Sequence, residues 1–473
     1  MNLVDCINCV LLTPYVDRMV SEFLGRPTDD GSVVQTVGLL IGIYSLCEVI
    51  FSPFWGYLAD RFGRRPVMLI GLAGSAVAPV MFGLATNLSV AFIARGIDGF
   101  FCGNVGVTKT YLGELVDGTN EARGFSFLAI CFSMGLILGP MLGGQLVDPA
   151  VWLPGIFEGT IFDWHPYLLP NLTYACFAAV AWMLGFCFLR ETLPPRERMR
   201  NTREAAASTS LIQNGVEGSQ LSSSVSFQSD GDKADQQKIA TRIAIFFMFS
   251  YSLLTGYYAA WSQNFVLIVS LPRNISGFAL SPREIGALQN ASGVGLMLTQ
   301  LLFYPYFTRR LGFLSCFVGG CVVNLIVTLL FPAYGLMADP DTFGAWRYAP
   351  LAIMMFLGQA AAGFCFPTIF VWINRSLNEK DKGTWNGCIN SIGALFRAIF
   401  PPAMDTMLSF GLHLSVPGGR YLPMFVNSLA CLVLVILVKI GVRAQETYRT
   451  ARKVAISLQG NFEGDVADTL GGA

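Results

Sequence analysis

Charge is the first thing this sequence is short of. Asp, Glu, Lys and Arg supply 13% of its 473 residues, against roughly 25% in a soluble domain, so there is too little to wrap a water-soluble core. The 31 basic residues are matched by 31 acidic ones, and no basic excess marks a nucleic-acid surface. Histidine is nearly absent: His165 and His413 are the only two, with no cysteine and histidine cluster to frame a metal path. The 12 cysteines stand mostly singly in apolar runs and read as small buried hydrophobes. Cys6-Ile7-Asn8-Cys9 has no second pair nearby to complete a metal site. Neither a metal nor a cofactor is expected. No nucleophile, base and orienting acid occur at a recognisable spacing, which argues against an enzyme.

What the chain does have is apolar length. Hydrophobic residues make up 53% of it, and a helix crossing a ~30 Å hydrocarbon core needs about 20 of them in succession. Such stretches run over 2–23, 34–58, 66–86, 89–113, 123–147 and 168–189, then 241–269, 283–306, 313–333, 346–373, 385–409 and 421–442. The first follows Met1 directly, contains Asp5 and has no basic lead, so it reads as a retained span and not a cleaved signal. The expected fold class is an all-α, multi-pass integral membrane protein with twelve transmembrane helices in two six-helix bundles. Its parts are an N-terminal bundle at 1–189, a flexible cytoplasmic linker at 190–240, a C-terminal bundle at 241–442 and a cytoplasmic tail at 443–473. The linker is rich in Ser, Gln, Asp and Arg and cannot bury enough apolar surface to fold alone.

Orientation follows from the basic residues, which concentrate in cytoplasmic loops. With both termini cytoplasmic, 22 of the 31 Lys and Arg fall in inner segments or at the inner ends of the spans that border them, and the loop from Asp148 to Tyr167 holds none. Arg18, Arg95, Lys109 and Arg397 remain inside spans.

Between the second and third spans stands Gly56-Tyr57-Leu58-Ala59-Asp60-Arg61-Phe62-Gly63-Arg64-Arg65. Gly56 permits close helix approach, Gly63 permits a turn, and Asp60 can pair with an arginine or a helix N-terminus. The run resembles the GxxxDRxGRR loop of the major facilitator superfamily. That resemblance implies a cytoplasmic gate in which Asp60 meets the start of span eleven, near Gly383 and Thr384, in one state only. Tyr304 to Gly312 keeps Arg309, Arg310 and the glycine but no aspartate, a degenerate copy that fits two related halves.

Span four places Arg95 and Asp98 three residues apart, on one helical face. An ionisable group in hydrocarbon costs at least roughly 2.5 kcal/mol, so the two either pair locally or serve a cavity. Arg95 resembles the superfamily's span-four arginine, which implies proton coupling through a nearby carboxylate: Asp98, Glu48 or Asp5. Gly99, Gly103 and Gly106 would let a neighbouring helix close in. Gly103 to Thr110 has the outline of a phosphate-binding loop, but Thr108 replaces the second glycine and the context is an apolar helix. ATP-driven transport is therefore not expected.

Span five carries Gly135, Gly139, Pro140, Gly143 and Gly144, which resembles the GxxxGPxxGG signature of antiporters; the same stripe also packs helices with no directional meaning. Thr13 to Val16, with Gly103 to Glu114, resembles eukaryotic zinc-induced facilitator-like carriers and the related drug:proton antiporter group. Asp17 and Arg18 depart from that pattern.

A substrate pocket is expected from Asn8 and Asn104 in the first half, and from Gln263, Gln289, Asn290, Gln359, Asn390 and Arg397 in the second. Each amide reads equally as pocket lining or as interhelical glue. Arg397 could hold an anionic group or pair with Asp405. The function expected is secondary transport of a small organic solute by alternating access, coupled to protons as an antiport. The alternative is a non-transporting solute or lipid sensor. The expected partners are solute, protons and membrane lipid, and the expected state is a monomer in a plasma or vacuolar-type membrane.

Overall fold

The computed structural model describes residues 1–103, 105–115, 121–192, 227–272, 277–337, 348–376, 382–414 and 418–470. Helices dominate and, among the described residues, there is no strand. The first half contains α1 (Asn2–Leu11), α2 (Val16–Leu24), α3 (Gly31–Phe62), α4 (Arg64–Gly83), α5 (Leu88–Cys102), α6 (Val105–Leu115), α7 (Glu121–Gln145) and α8 (Leu168–Phe188). The second contains α9 (Phe227–Ser270), α10 (Pro282–Leu298), α11 (Tyr304–Leu311), α12 (Phe313–Met337), α13 (Tyr348–Ser376), α14 (Lys382–His413) and α15 (Leu422–Leu470). Single helical turns fill part of the loop between α7 and α8.

Eight described helical segments are long and apolar enough to cross a membrane: 31–62, 64–83, 88–115, 168–188, 241–270, 313–335, 348–373 and 419–447. Of the four remaining expected spans, span five is the continuous helix α7, with Ile130–Gln145 as its described apolar part, and the other three fall on interrupted or more polar helices. Span one is divided between α1 and α2, with Pro14 in the turn between them. Span eight passes from α10 through the π-helical turn Thr299–Phe303 into α11. Pro305 follows that turn, and its missing N–H and bulky ring disturb the hydrogen-bond ladder there. Span eleven, α14, carries Arg397, Asp405 and the adjacent prolines Pro401 and Pro402.

Two helices run past the apolar spans they carry, which themselves lie at 241–270 and 419–447. The helix of span seven begins at Phe227, inside the expected linker, and the helix of span twelve continues to Leu470, through the expected tail. A helix satisfies its own backbone hydrogen bonds, so it need not stop where apolar composition stops.

Local chemistry sets several ends. Asp30 accepts from the Ser32 amide at 2.8 Å and Asn87 from the Val90 amide at 3.0 Å, capping α3 and α5. Ser281 and Glu284 form a reciprocal capping box at α10. Gly63 (φ 105°, ψ 160°) and Gly312 (φ 78°, ψ 166°) make the same left-handed turn after α3 and α11, at the end of the second span of each half, a conformation open to glycine and costly for other residues.

Within the first half, α1 packs on α7, α4 on α8, and α5 on both α3 and α4. Within the second, α13 packs on α10 and α12, and α9 on α14 and α15. The halves meet along two antiparallel seams, α3 with α14 and α7 with α10. Outward faces carry exposed apolar side chains such as Ile50, Ile93, Met183, Ile326, Ile353 and Ile436, as expected for surfaces facing lipid.

Candidate functional site

The two seams are closed over the half of the molecule far from the Gly56–Arg65 turn. On α3, a Cβ added to Gly38 would lie 2.6 Å from Asp405 Oδ2 and 3.0 Å from Pro402 Cα, and one on Gly42 would lie 2.9 Å from Ala398 O. Beyond them Gly31 abuts Ser409, and Gln35 donates to Ser409 Oγ at 3.2 Å. On α7, Gly144 packs against Gly286 of α10, and Pro140 approaches Gly286 from the next turn. With its amide turned to satisfy both groups, Asn290 donates to Ile137 O at 2.7 Å and Gly286 O at 3.2 Å. Ser133 donates to Gln300 Oε1 at 3.2 Å, the farthest bridge along this seam. Toward the other end, no described atom lies within 4 Å of a Cβ built on Gly56, Gly106 or Gly113.

Midway along the bundle, two charged groupings lie inside. In the first, Arg95 and Asp98 are 3% and 2% exposed. Arg95 Nη1 donates to Asp98 Oδ2 at 2.6 Å, and Asn8 Nδ2 donates to Asp98 Oδ1 at 2.6 Å. The guanidinium lies 4.3 Å from the centre of the Tyr44 ring, so its face is covered by π density while one edge is paired. Tyr44 in turn donates to Cys102 Sγ at 2.7 Å and lies 3.4 Å from the thiol of Cys9. α1, α3 and α5 are thereby joined around one carboxylate.

The second grouping spans the halves. Arg397 Nη2 on α14 lies 3.0 and 3.1 Å from the two oxygens of Glu48 on α3. Lys109 on α6 donates to Asn390 Oδ1 on α14 at 2.9 Å. Thr13, in the turn between α1 and α2, donates to Gln289 Oε1 on α10 at 3.0 Å. A charge-assisted pair held out of water is strong in itself but carries a desolvation penalty, which suits a contact that must form and break.

Several expectations change accordingly. Arg397 does not pair with Asp405, since Glu48 occupies its guanidinium; Glu48 therefore belongs to this bridge and not to the Arg95 grouping. Gly56 makes no close helix approach among the described residues. Asp60 accepts from Arg64 at 2.5 Å and its side chain is 71% exposed. Arg64 also bonds Glu114 at 3.0 Å, Arg65 bonds the Phe186 carbonyl at 2.6 Å, and Arg61 bonds Tyr57. These contacts tie the turn to its own half. The side chains of Gly383, Thr384 and Asn386, and all of Asn104, lie outside the described residues.

The glycines of α7 divide. Gly135, Gly139 and Gly143 face α1 at Cys6, Ile7 and Leu11, whereas Gly144 faces the other half. Of the remaining pocket residues, Gln263 is buried with Nε2 unpartnered, and Gln359 is half-buried on α13. Asp5 is half-buried on α1. Sequence reasoning missed Tyr44, because an arginine-on-ring contact between helices leaves no local spacing signal. Among the described residues, no group of three His, Cys, Asp or Glu side chains could hold a metal ion.

A helical membrane protein with two related halves, sealed at one end and bridged at mid-depth by buried ion pairs, has the build of a carrier. Residues 11–401 match the Major Facilitator Superfamily, and the chain belongs to that family; it is a membrane transporter and not an enzyme. It is 27% identical over 461 residues to the major facilitator superfamily multidrug transporter mfsB of Aspergillus fumigatus, covering 85% of this chain and 75% of that one. It is 26% identical over 431 residues to the zinc induced facilitator 1 protein of Arabidopsis thaliana, covering 89% and 86%. The crystal structure of the human organic anion transporter MFSD10 shares the fold, with a TM-score of 0.60 at 20% identity over 92% of this chain and 96% of that one.

Proposed function

We propose that the protein exchanges a small organic solute for protons by alternating access. Its twelve spans form two six-helix bundles with both termini in the cytoplasm, so the Gly56–Arg65 turn is cytoplasmic and the closed seams face outward. The observation that carries this reading is the mid-membrane pairing itself. A carboxylate shared by Arg95 and Asn8 and a cross-bundle bridge, Glu48 to Arg397, are linked through α3, which sets Tyr44 on Arg95 and Glu48 in the bridge, so a proton taken up at the first site acts on a helix that holds the halves together.

In this reading Asp98 binds the proton, with Arg95 positioning it and Asp5 nearby on α1. Neutral polar groups at Gln263, Gln289, Asn290, Gln359, Asn390, Asn8 and Asn104 serve an organic solute that hydrogen-bonds. Arg397 offers an anionic group of the solute a cation once Glu48 lets go. Gly135, Gly139 and Gly143 fix α1 against α7, and Pro140 and Gly144 form the outer closure. Asp60, Arg61, Gly63, Arg64 and Arg65 hold the inner ends of α3 and α4 and engage α14 when the inner side shuts. The name of the Aspergillus relative, a multidrug transporter, supports an organic cargo.

The test is uptake from a complex metabolite extract by proteoliposomes under an imposed pH gradient, read by mass spectrometry, with Arg95→Ala as control. A solute accumulated only by the native protein and only with the gradient is expected. Equal accumulation with and without the gradient would rule out proton coupling.

A second expectation concerns the bridge. Glu48→Gln removes the counter-charge and leaves half-buried Arg397 one amide oxygen in place of a carboxylate, so transport should fall about tenfold or more, the effect of losing about 1.4 kcal/mol in a step the bridge controls. For a solute without an anionic group, Arg397→Gln in the same background should cost little beyond that, because the two side chains then act as one unit. Additive losses in the double variant would show that they act separately.

A further inference from the structure

Asp405 is 0% exposed, and neither of its carboxyl oxygens has a hydrogen-bond partner. It lies on α14 in the outer seam, where Gly38 of α3 leaves only the volume of a hydrogen before Asp405 Oδ2. Ser409 and Gly31 close the seam one turn farther out, and Pro402 with Gly42 closes it one turn farther in.

No opposite charge reaches it. On its own helix, Arg397 is more than two turns away and bonded to Glu48 of α3, and His413 is two turns the other way. On α3 the nearest titratable groups to Gly38 are Tyr44, which donates to Cys102, and the capping Asp30, followed by Cys47 and Glu48. α9 carries Arg242 and three tyrosines, Tyr251, Tyr257 and Tyr258, over the part that lies in the membrane. The turn before α15 contributes Arg420 and Tyr421, α15 itself Lys439 and Arg443, and α6 Lys109 and Glu114.

An ionised carboxylate with no donor and no counter-charge cannot be kept in such a place; the group takes a proton instead. We propose that Asp405 is a proton-binding latch of the outer seam, protonated while α3 and α14 are closed on it and ionised when they part. On opening, the O–H bond breaks, the proton passes to water on the outer side, and the carboxylate is hydrated. Rejoining requires a proton from the same side, so acid outside favours the closed seam. The proposal rests on the alternating-access reading above and adds to it a site that the Arg95 grouping does not contain.

Ser409→Cys in the full chain, reconstituted in proteoliposomes, places a thiol in the seam one turn from Asp405. An impermeant maleimide is added outside, and modification at that position is read by peptide mass spectrometry across a pH series. The same thiol in an Asp405→Asn background is the reference, which removes the intrinsic pH dependence of thiol reactivity. At alkaline pH the Asp405 protein should label about tenfold faster than the Asp405→Asn protein, corresponding to one unit of proton linkage, and at acid pH the two rates should converge. Asp405→Glu should keep the alkaline rise with a displaced midpoint.

Equal rates and profiles with and without the carboxyl would overturn the proposal, as would a thiol that never labels. If Asp405→Asn fails to fold, Asp405→Glu carries the test, and an undisplaced midpoint overturns it. A seam that titrates while an imposed gradient drives no flux would leave the latch standing and remove the proton-coupled reading. Gradient-driven flux with a pH-independent seam would do the reverse.

Discussion

Asp98→Asn should lose gradient-driven accumulation of the transported solute by about a hundredfold or more, the scale of removing one positioned proton-transfer group. The protein should remain folded. The amide keeps the shape of the carboxyl and retains one acceptor for Arg95, now 2.6 Å from Asp98 Oδ2; what it lacks is a site for a proton. Exchange of labelled for unlabelled solute, which needs no net proton movement, should survive at within about tenfold of the native rate, because the cross-bundle pair of Glu48 and Arg397 is untouched. Asp98→Ala behaves differently. It leaves the Arg95 guanidinium buried and charged without its partner, a loss of about 3–5 kcal/mol, and should lower the melting temperature in detergent. The informative comparison is therefore uptake against exchange for Asp98→Asn, with melting measured for both variants. Native accumulation under a pH gradient by Asp98→Asn would remove Asp98 from the coupling step and leave the Arg95 pair a structural one.

What could be read from the chain and what could not divides by distance along it. Arg95 and Asp98 are three residues apart, so helical geometry alone brings them together, and the pair forms. Gly63 and Gly312 announce the same turn twice because a left-handed backbone requires glycine at both places. Asn8 with Asp98, and Glu48 with Arg397, join residues on separate helices; each residue was a candidate, but no periodicity assigns partners across a bundle. Asp405 is the sharper case. Its sequence neighbourhood offered Arg397 as a partner, two turns away on the same helix, and Glu48 on α3 won that arginine instead. The choice depends on how α3 and α14 lie against each other, information that is spread over the whole fold. The apolar spans were legible, span seven being expected over 241–269 and lying at 241–270; the helix ends were not, because hydropathy marks where lipid begins while a helix ends where its backbone loses partners, and α9 starts at Phe227, well before its apolar part.

The seam between α7 and α10 supplies the second large effect. Gly286→Leu should stop transport almost completely, with activity at least about a hundredfold down, while expression and melting stay close to native. The reasoning starts from the packing. Any Cβ on Gly286 would run into the Pro140 carbonyl, and Gly144 meets Gly286 across the same seam, so the side chain has backbone on the opposite helix and no flexible neighbour to displace. Overpacking of this kind is relieved when the helices move apart. The relief is available because α7 and α10 belong to different halves, and a carrier already possesses a state in which this seam is open. The variant should therefore collect in that state instead of unfolding. Gly139→Leu makes the contrast. Gly139 faces Ile7 and Val10 of α1 within one half, where no working state separates the helices, so that variant should lower the melting temperature. Hydrogen–deuterium exchange separates the two cases: Gly286→Leu should raise exchange at the C-terminal end of α7 and the N-terminal end of α10 alone, whereas Gly139→Leu should raise it across the first half. A Gly286→Leu protein that transports at the native rate would mean that this seam need not close during the cycle.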